Sequence, residues 1–247
     1  MKVSLITITY NSASTLEDTL QSVKNQTYTD IEYIVVDGGS TDGTLDLLAK
    51  YGDTVDVLIN GPDKGLYDAL NKGIRQATGD IIGIIHSDDF YTTPDVIAKV
   101  VDLFETRHCE GVYADLYYVQ KDDTSKVFRK WRSGKYHHGM FYNGWMPPHP
   151  TLFVKRSCYE RFGLFNLELG SAADYEMCLR LIHKHNIRLA YLEEFIIKMR
   201  VGGKSNVTLS NRIQANRNDR KAWRVNGLKP RIYTLYMKPL RKLSQFF

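Results

Sequence analysis

Through the first hundred residues, short apolar runs alternate with stretches whose apolar positions recur three and four residues apart. The runs cover residues 3–8, 31–36, 55–59 and 81–85, each with the length and composition of a buried strand. Between them Leu16, Leu20 and Val23 mark one helical stripe, and Leu45, Leu48 and Ala49 a shorter one. Leu66, Ala69, Leu70 and Ile74 mark a third. A fourth helix starts at Thr93-Pro94, with proline in its first turn, and runs through Val96, Ile97, Val100, Val101 and Phe104. Ser14-Thr15-Leu16-Glu17 has the spacing of a capping box for the first helix. Strand and helix in alternation imply an α/β fold: a Rossmann-like, mainly parallel sheet, flanked by helices, with a ligand crevice at the strand ends.

From residue 111 the pattern loosens. Strand-like segments at 111–119 and 126–131 flank a Lys-Asp-Asp turn, and a loop rich in Gly, His and Pro covers 137–150. A short helix near Cys158, a firmer one over 174–185, and strands near 187–192 and 196–201 follow. The chain thus divides at about 110 and again at about 203.

Two places in the regular half carry chemistry. The run at 81–85 ends in His86-Ser87-Asp88-Asp89, and paired carboxylates at a strand's C-terminal end suit a hard divalent cation bridging phosphates. Asp also closes turns, and on these residues alone the two readings are evenly matched. After the second run comes Asp37-Gly38-Gly39-Ser40-Thr41-Asp42-Gly43-Thr44. Asp37 stands where α/β nucleotide binders keep an acid, or in an ordinary Gly-Asp turn; eight turn formers in succession exceed what a tight connection needs. Two nucleotide motifs are absent. Thr9-Tyr10-Asn11-Ser12-Ala13 lacks the glycines of a dinucleotide fingerprint, and Gly202-Gly203-Lys204-Ser205 lacks the earlier glycine of a phosphate-binding loop.

Charge adds an asymmetry hidden in the net +5. From Lys204 to Phe247 there are eleven Lys and Arg against one acid, Asp219, so the tail carries +10 and residues 1–203 carry −5. Cys109, Cys158 and Cys178 are odd in number and scattered, which supports neither a disulfide framework nor a Cys-based zinc site. A reducing, cytoplasmic setting is the default. Met1 to Ile6 enters a strand pattern directly, without the pattern of a leader, and no run approaches the ~18 apolar residues of a membrane span.

Five motifs in order now count together: Thr7-Ile8-Thr9-Tyr10-Asn11, Asp37 to Thr44, Asp63-Lys64-Gly65-Leu66-Tyr67-Asp68-Ala69-Leu70-Asn71-Lys72-Gly73, Ala77-Thr78-Gly79-Asp80 and Ser87-Asp88-Asp89. This set resembles the family 2 inverting glycosyltransferases of GT-A fold, especially the bacterial branch building exopolysaccharide, capsule or lipopolysaccharide. The resemblance implies a nucleotide-sugar-binding half at 1–110, an acceptor-binding half of the same domain at 111–203, and a basic C-terminal tail at 204–247. It implies that Asp37 bonds the nucleobase, that Thr9 and Tyr10 line the base pocket, and that Lys64 adds positive charge there. Asp88 would contact the ribose or the metal's water shell, and Asp89 would ligate Mn2+ or Mg2+ on the donor diphosphate. Many relatives carry Asp-x-Asp-Asp where this chain has His86-Ser87-Asp88-Asp89, which leaves ligation chiefly to Asp89 and His86 as a residue packed beside the strand.

Inverting transfer needs a base that removes the acceptor's proton. Gly170 to Glu176 resembles the family segment supplying it, with Asp174 as the base and Glu176 as substitute; Ser171 to Asp174 also has capping-box spacing. Pro147-Pro148-His149-Pro150-Thr151 resembles an acceptor-side loop in which His149 would bind acceptor or phosphate. Arg200 to Ser205 resembles a mobile loop whose cations, Arg200 and Lys204, would meet the diphosphate on closure. The implied partners are a nucleotide-sugar donor and a glycan or lipid-linked saccharide acceptor. Cations in the tail interleave with Trp223, Tyr233, Tyr236, Phe246 and Phe247, and Leu240, Leu243 and Phe247 recur at helical spacing. Such a tail lies peripherally on an anionic inner-membrane face, at about 1 kcal/mol per surface cation, or packs back on the acidic body. Nucleic acid is set aside for want of any reading module. Two rivals stand beside transfer: a nucleotidyltransferase, which needs a Gly-rich basic loop that 9–13 does not supply, and a non-catalytic nucleotide-sugar-binding relative.

Overall fold

The computed structural model describes residues 1–202, 209–241 and 245. The first half follows the alternation: β1 (Val3–Thr9), α1 (Leu16–Lys24), β2 (Ile31–Asp37), α2 (Thr44–Lys50), β3 (Val57–Asn60), α3 (Leu66–Gln76) and β4 (Ile81–Ile84). All four strands are parallel, in the order β3-β2-β1-β4. Every residue of β1 is buried, as expected where helices cover both faces of a sheet. Its side chains alternate between two cores: Ile6 and Ile8 join the core under α3, and Val3 and Leu5 the one under α1.

The second half comprises β5 (Asp89–Tyr91), α4 (Val96–Arg107), β6 (Gly111–Val119), β7 (Val127–Trp131), β8 (Phe153–Lys155), α5 (Arg156–Phe162), α6 (Ala173–Cys178) and β9 (Leu189–Arg200). It extends the sheet to β3-β2-β1-β4-β8-β6-β9-β5, with β7 paired to β6. β8 is antiparallel to both β4 and β6, and this reversal makes the whole sheet mixed. β6 and β9 are parallel and end on the same side as β1 to β4, so one rim collects the C-terminal ends of both halves.

Several local expectations change. The Ser14 to Glu17 capping box does not form. Thr15 is the N-cap without a side-chain bond, because Glu17 is drawn to Lys50 Nζ (2.7 Å) and Tyr51 Oη (3.2 Å). α4 begins at Val96, two residues after Pro94. The strands near 187–192 and 196–201 are one strand, β9. Exposed Glu193 and Glu194 lie between the two expected segments, and register shifts opposite Ala114, Asp115 and Leu116 absorb them as a bulge. The helix expected over 174–185 is α6 followed by a π-helical stretch, Leu179–Lys184. β5 and β8, three residues each, are too short to show a period in sequence.

The described part of the tail forms α7 (Leu209–Val225) and α8 (Thr234–Arg241), and it packs on the body. Trp223 is fully buried and donates from Nε1 to Tyr175 Oη (2.9 Å), and Asn226 Nδ2 donates to Glu176 Oε1 (3.0 Å). Leu243, Phe246 and Phe247 lie outside the described residues. Among those described, no helix is long and apolar enough to cross a membrane.

Candidate active site

The loops leaving the parallel strands are tied into one rim. Gly38 N donates to Thr9 O (2.9 Å), and Gly61 N to Asp37 O (3.0 Å). Asn11 sits at φ +51, a region asparagine tolerates; its N–H donates to Ser40 Oγ and its Oδ1 accepts from Thr41 N, both at 2.8 Å. Ser12 and Ser87 hydroxyls meet at 3.0 Å and join the β1 loop to the turn after β4.

Asp37 ends β2 with no exposed surface, and three donors occupy its carboxylate: Gly39 N (2.9 Å) and Ser40 N (2.8 Å) at Oδ2, Ser40 Oγ at Oδ1. These bonds shape the loop. The acid over Gly38 is instead Asp63, whose Oδ2 would lie 2.8 Å from a Cβ placed there, with the Tyr10 ring at 3.4 Å. Glycine at 38 therefore admits both side chains. Asp63 was not singled out from sequence, because it reads as one more turn former in Pro62-Asp63-Lys64-Gly65. Tyr10 is 58% exposed at this rim, Lys64, next to Asp63 in the chain, is exposed, and Thr9 is buried with Oγ1 unpartnered.

The turn after β4 is held from below by α1: Thr19 Oγ1 donates to Asp89 O (2.7 Å) and His86 O (3.3 Å). Asp89, fully buried, opens β5, and neither of its carboxylate oxygens has a hydrogen-bond partner. Burial and the Asp88 carboxylate push its pKa well above the ordinary range, and Arg200 pulls against them. Arg200 was expected in a mobile loop. It is instead a buried anchor at the end of β9, donating to Asp88 O (2.8 Å), paired with Asp18, and lying 5.1 Å over the Phe90 ring. Lys204 lies outside the described residues. Asp89 with half-buried Asp88 offers the oxygen donors a hard cation takes. No cluster of three His, Cys, Asp or Glu suited to a metal occurs among the described residues, so such an ion would draw its remaining ligands from phosphate and water.

Across the rim, Asp174 sits in the first turn of α6, half-buried, its Oδ1 accepting from Tyr175 N (2.6 Å). Ala172, not Ser171, is the N-cap, so the capping reading does not hold. Burial raises the Asp174 pKa; Lys238, the Tyr175 N–H, His86 and Tyr67 act in the opposite sense. Glu176 is committed elsewhere, buried in a two-bond pair with Arg180 (2.9 and 3.1 Å) and accepting from Asn226. His149 is buried with both ring nitrogens unpartnered, its ring 6.0 Å from that of His86 and edge-on to Phe165. Burial and His86 hold its pKa near about 3, so it is neutral at pH 7. His86 itself, depressed by burial, feels both Asp88 and Asp174. The charges of Asp89 and Asp174 both reach the Tyr118 hydroxyl. Thus Asp88, Asp89, Asp174, His86 and His149 act on one another across this rim.

The model of Glycosyl transferase family 2 matches residues 4–161. An uncharacterized glycosyltransferase of Mycobacterium tuberculosis is 34% identical over 189 residues, 72% of this chain and 68% of that one. A PGL/p-HBAD biosynthesis glycosyltransferase of Mycobacterium bovis is 28% identical over 207 residues, 82% and 78% of the two chains. Among solved structures, S. aureus TarS 1–349 in complex with UDP-GlcNAc superposes with a TM-score of 0.72 at 19% identity, over 96% of this chain and 69% of that one. The chain spans only 39% of a longer TarS chain. The mannosyltransferase PcManGT from Pyrobaculum calidifontis, in complex with GDP-Man and Mn2+, gives 0.65 at 21% identity, over 96% and 68%. The fold shared with these structures is GT-A.

Proposed function

Because the chain belongs to glycosyl transferase family 2, we propose that it moves a sugar, with inversion, from a nucleotide-diphospho-sugar to a hydroxyl of a glycan or lipid-linked saccharide in surface polysaccharide or glycolipid synthesis. The observation that carries this reading is Asp89: a fully buried carboxylate with no partner, at a strand end, facing a rim that also holds Asp174. Leaving such a group unpaired costs stability, and a ligand that pairs it returns that loss on binding.

In this reading residues 1–110 hold the donor. Tyr10 and Thr9 wall the base pocket, Asp63 and Lys64 border it, and Asp37 holds the loop that forms its floor. Asp89, with Asp88, would hold Mn2+ or Mg2+, which offsets charge on the departing nucleoside diphosphate. Residues 111–203 hold the acceptor. Asp174 takes the proton of the attacking hydroxyl, its raised pKa suiting it to a base that must also let the proton go. The displacement is single and needs no covalent intermediate. His149, neutral at pH 7, and His86, whose pKa burial depresses, line the acceptor side as hydrogen-bonding groups. The donors bound by TarS and PcManGT, and the Mn2+ of the latter, support the class of donor and ion.

A panel of UDP, GDP, CDP and dTDP, each with and without Mn2+, tests this by thermal shift, since a ligand selective for the native state raises its stability. One nucleotide should stabilise the protein only with the metal. A flat panel would favour a non-catalytic relative, whereas full transfer by an Asp174→Asn variant would refute Asp174 as the base.

The tail adds a location. Ile232 (94% exposed), Tyr233, Tyr236 and Leu240 leave an apolar strip outward on and before α8, beside Lys229 and Arg231. This strip suits the anionic inner face of the cytoplasmic membrane. Co-sedimentation with phosphatidylglycerol vesicles should fall in the triple variant I232S/Y236S/L240S; unchanged binding would discard the membrane reading.

A further inference from the structure

α8 has an inward face as well, and that face points at the chemistry. Gly144 closes the 3-10 turn Met140–Asn143 at φ +73, and a Cβ there would lie 2.4 Å from Lys238 N. The helix is therefore seated against backbone, which only glycine permits at that distance. From this seat Lys238 Nζ reaches inward, 2.8 Å from Asp219 Oδ2 of α7 and 3.8 Å from the centroid of the Tyr175 ring. Tyr175 is the residue whose N–H bonds the Asp174 carboxylate, and its hydroxyl accepts from Trp223 of α7. Two tail helices thus grip the residue next to Asp174 and set an ammonium beside it.

We propose that the C-terminal helix is a working part of the acceptor side, and that Lys238 is a positioning residue supplying the counter-charge to the Asp174 carboxylate. This rests on the reading of Asp174 as the base. Among the described residues, the other titratable groups acting around Asp174 are Tyr67 from α3, His86 from the turn after β4, Tyr118 from β6 and Cys178 on α6. None of them is a fixed cation, and of the charges acting on Asp174 Lys238 has the largest effect. Seating of the tail and competence of the base become one event: a chain whose α8 is displaced keeps its donor site but holds Asp174 protonated to higher pH.

The test follows Asp174 directly by NMR titration of protein labelled with carbon-13 at the Asp carboxyl carbons, with Asp174→Asn identifying its signal. Lys238→Met should move the Asp174 midpoint upward, and Lys238→Arg should restore it. Where a donor is in hand, the acid limb of kcat should move the same way with KM for the donor unchanged. Lys238→Gln, which keeps a polar head, serves if Lys238→Met fails to fold. A midpoint unmoved in the folded Met or Gln variant, even with a lowered Tm, would overturn the proposal and leave Lys238 a structural residue. The titration needs no substrate, so failure of the reading it rests on would show separately: a flat nucleotide panel would tell against the donor site, and an active Asp174→Asn variant against Asp174 as the base.

Discussion

The turns after β2 and β4 each bury an aspartate completely and treat it in opposite ways. Asp37 receives three hydrogen bonds from the loop it shapes, whereas both oxygens of Asp89 receive none. An acid satisfied by its own loop is part of the scaffold. An acid buried without partners costs a fold that has only its own contacts to set against it, and a ligand that pairs it would remove that cost. The same contrast recurs in α6, where Glu176 is saturated by Arg180 and Asn226 and Asp174, two residues away, is not.

The contrast yields experiments of decreasing size. Asp174→Asn should lower transfer by about 10²–10⁴-fold, the range for a lost general base, while leaving the metal-dependent nucleotide shift intact; Glu176→Gln should instead act through stability. In the wild type, kcat should fall as pH drops through the Asp174 pKa, about tenfold per unit below it, because only the deprotonated form accepts a proton. Burial places that limb above the range of an ordinary Asp, so a limb at the ordinary position would break the assignment.

Next come paired stability measurements by urea unfolding of the ligand-free protein. Asp37→Ala should cost about 2 kcal/mol through lost hydrogen bonds to a charged group, and Asp89→Asn should cost nothing or gain about 1–3 kcal/mol by relieving an unpaired one. Asp89→Asn should also erase the metal-dependent nucleotide shift. Equal losses in both variants would erase the distinction between the two turns. The smallest effect is expected of Gly38→Ala: a Cβ 2.8 Å from Asp63 must move that carboxylate, and nucleotide affinity should weaken by about tenfold or less, roughly 1.4 kcal/mol.

Much of the first half was legible in order. The runs at 3–8, 31–36 and 81–85 coincide with β1, β2 and β4 to within a residue, because a strand buried on both faces is apolar throughout. The placement of Asp37 at the end of β2 followed from that, whereas Asp88-Asp89 lie past the end of β4 and Asp89 opens β5. Less was legible beyond residue 111. β8 is three residues long, β9 runs through two glutamates, and the direction of β8 is set by its partners β4 and β6. Asp63 was hidden among turn formers, and Lys238 among the cations of a tail that reads in sequence as one basic block.

What the sequence determined by itself was the local order: which segments are strands or helices, which acids end the strands, and which family's motifs they form. Periodicity and turn chemistry act over a few residues and are written in them. Only the tertiary structure decided which of those acids are already satisfied, that Arg200 anchors the base of the rim, and that α8 brings Lys238 to Asp219 and the Tyr175 ring. Burial and counter-charge depend on segments far apart in the chain, and whether an aspartate supports a loop or waits for a ligand depends on what packs around it.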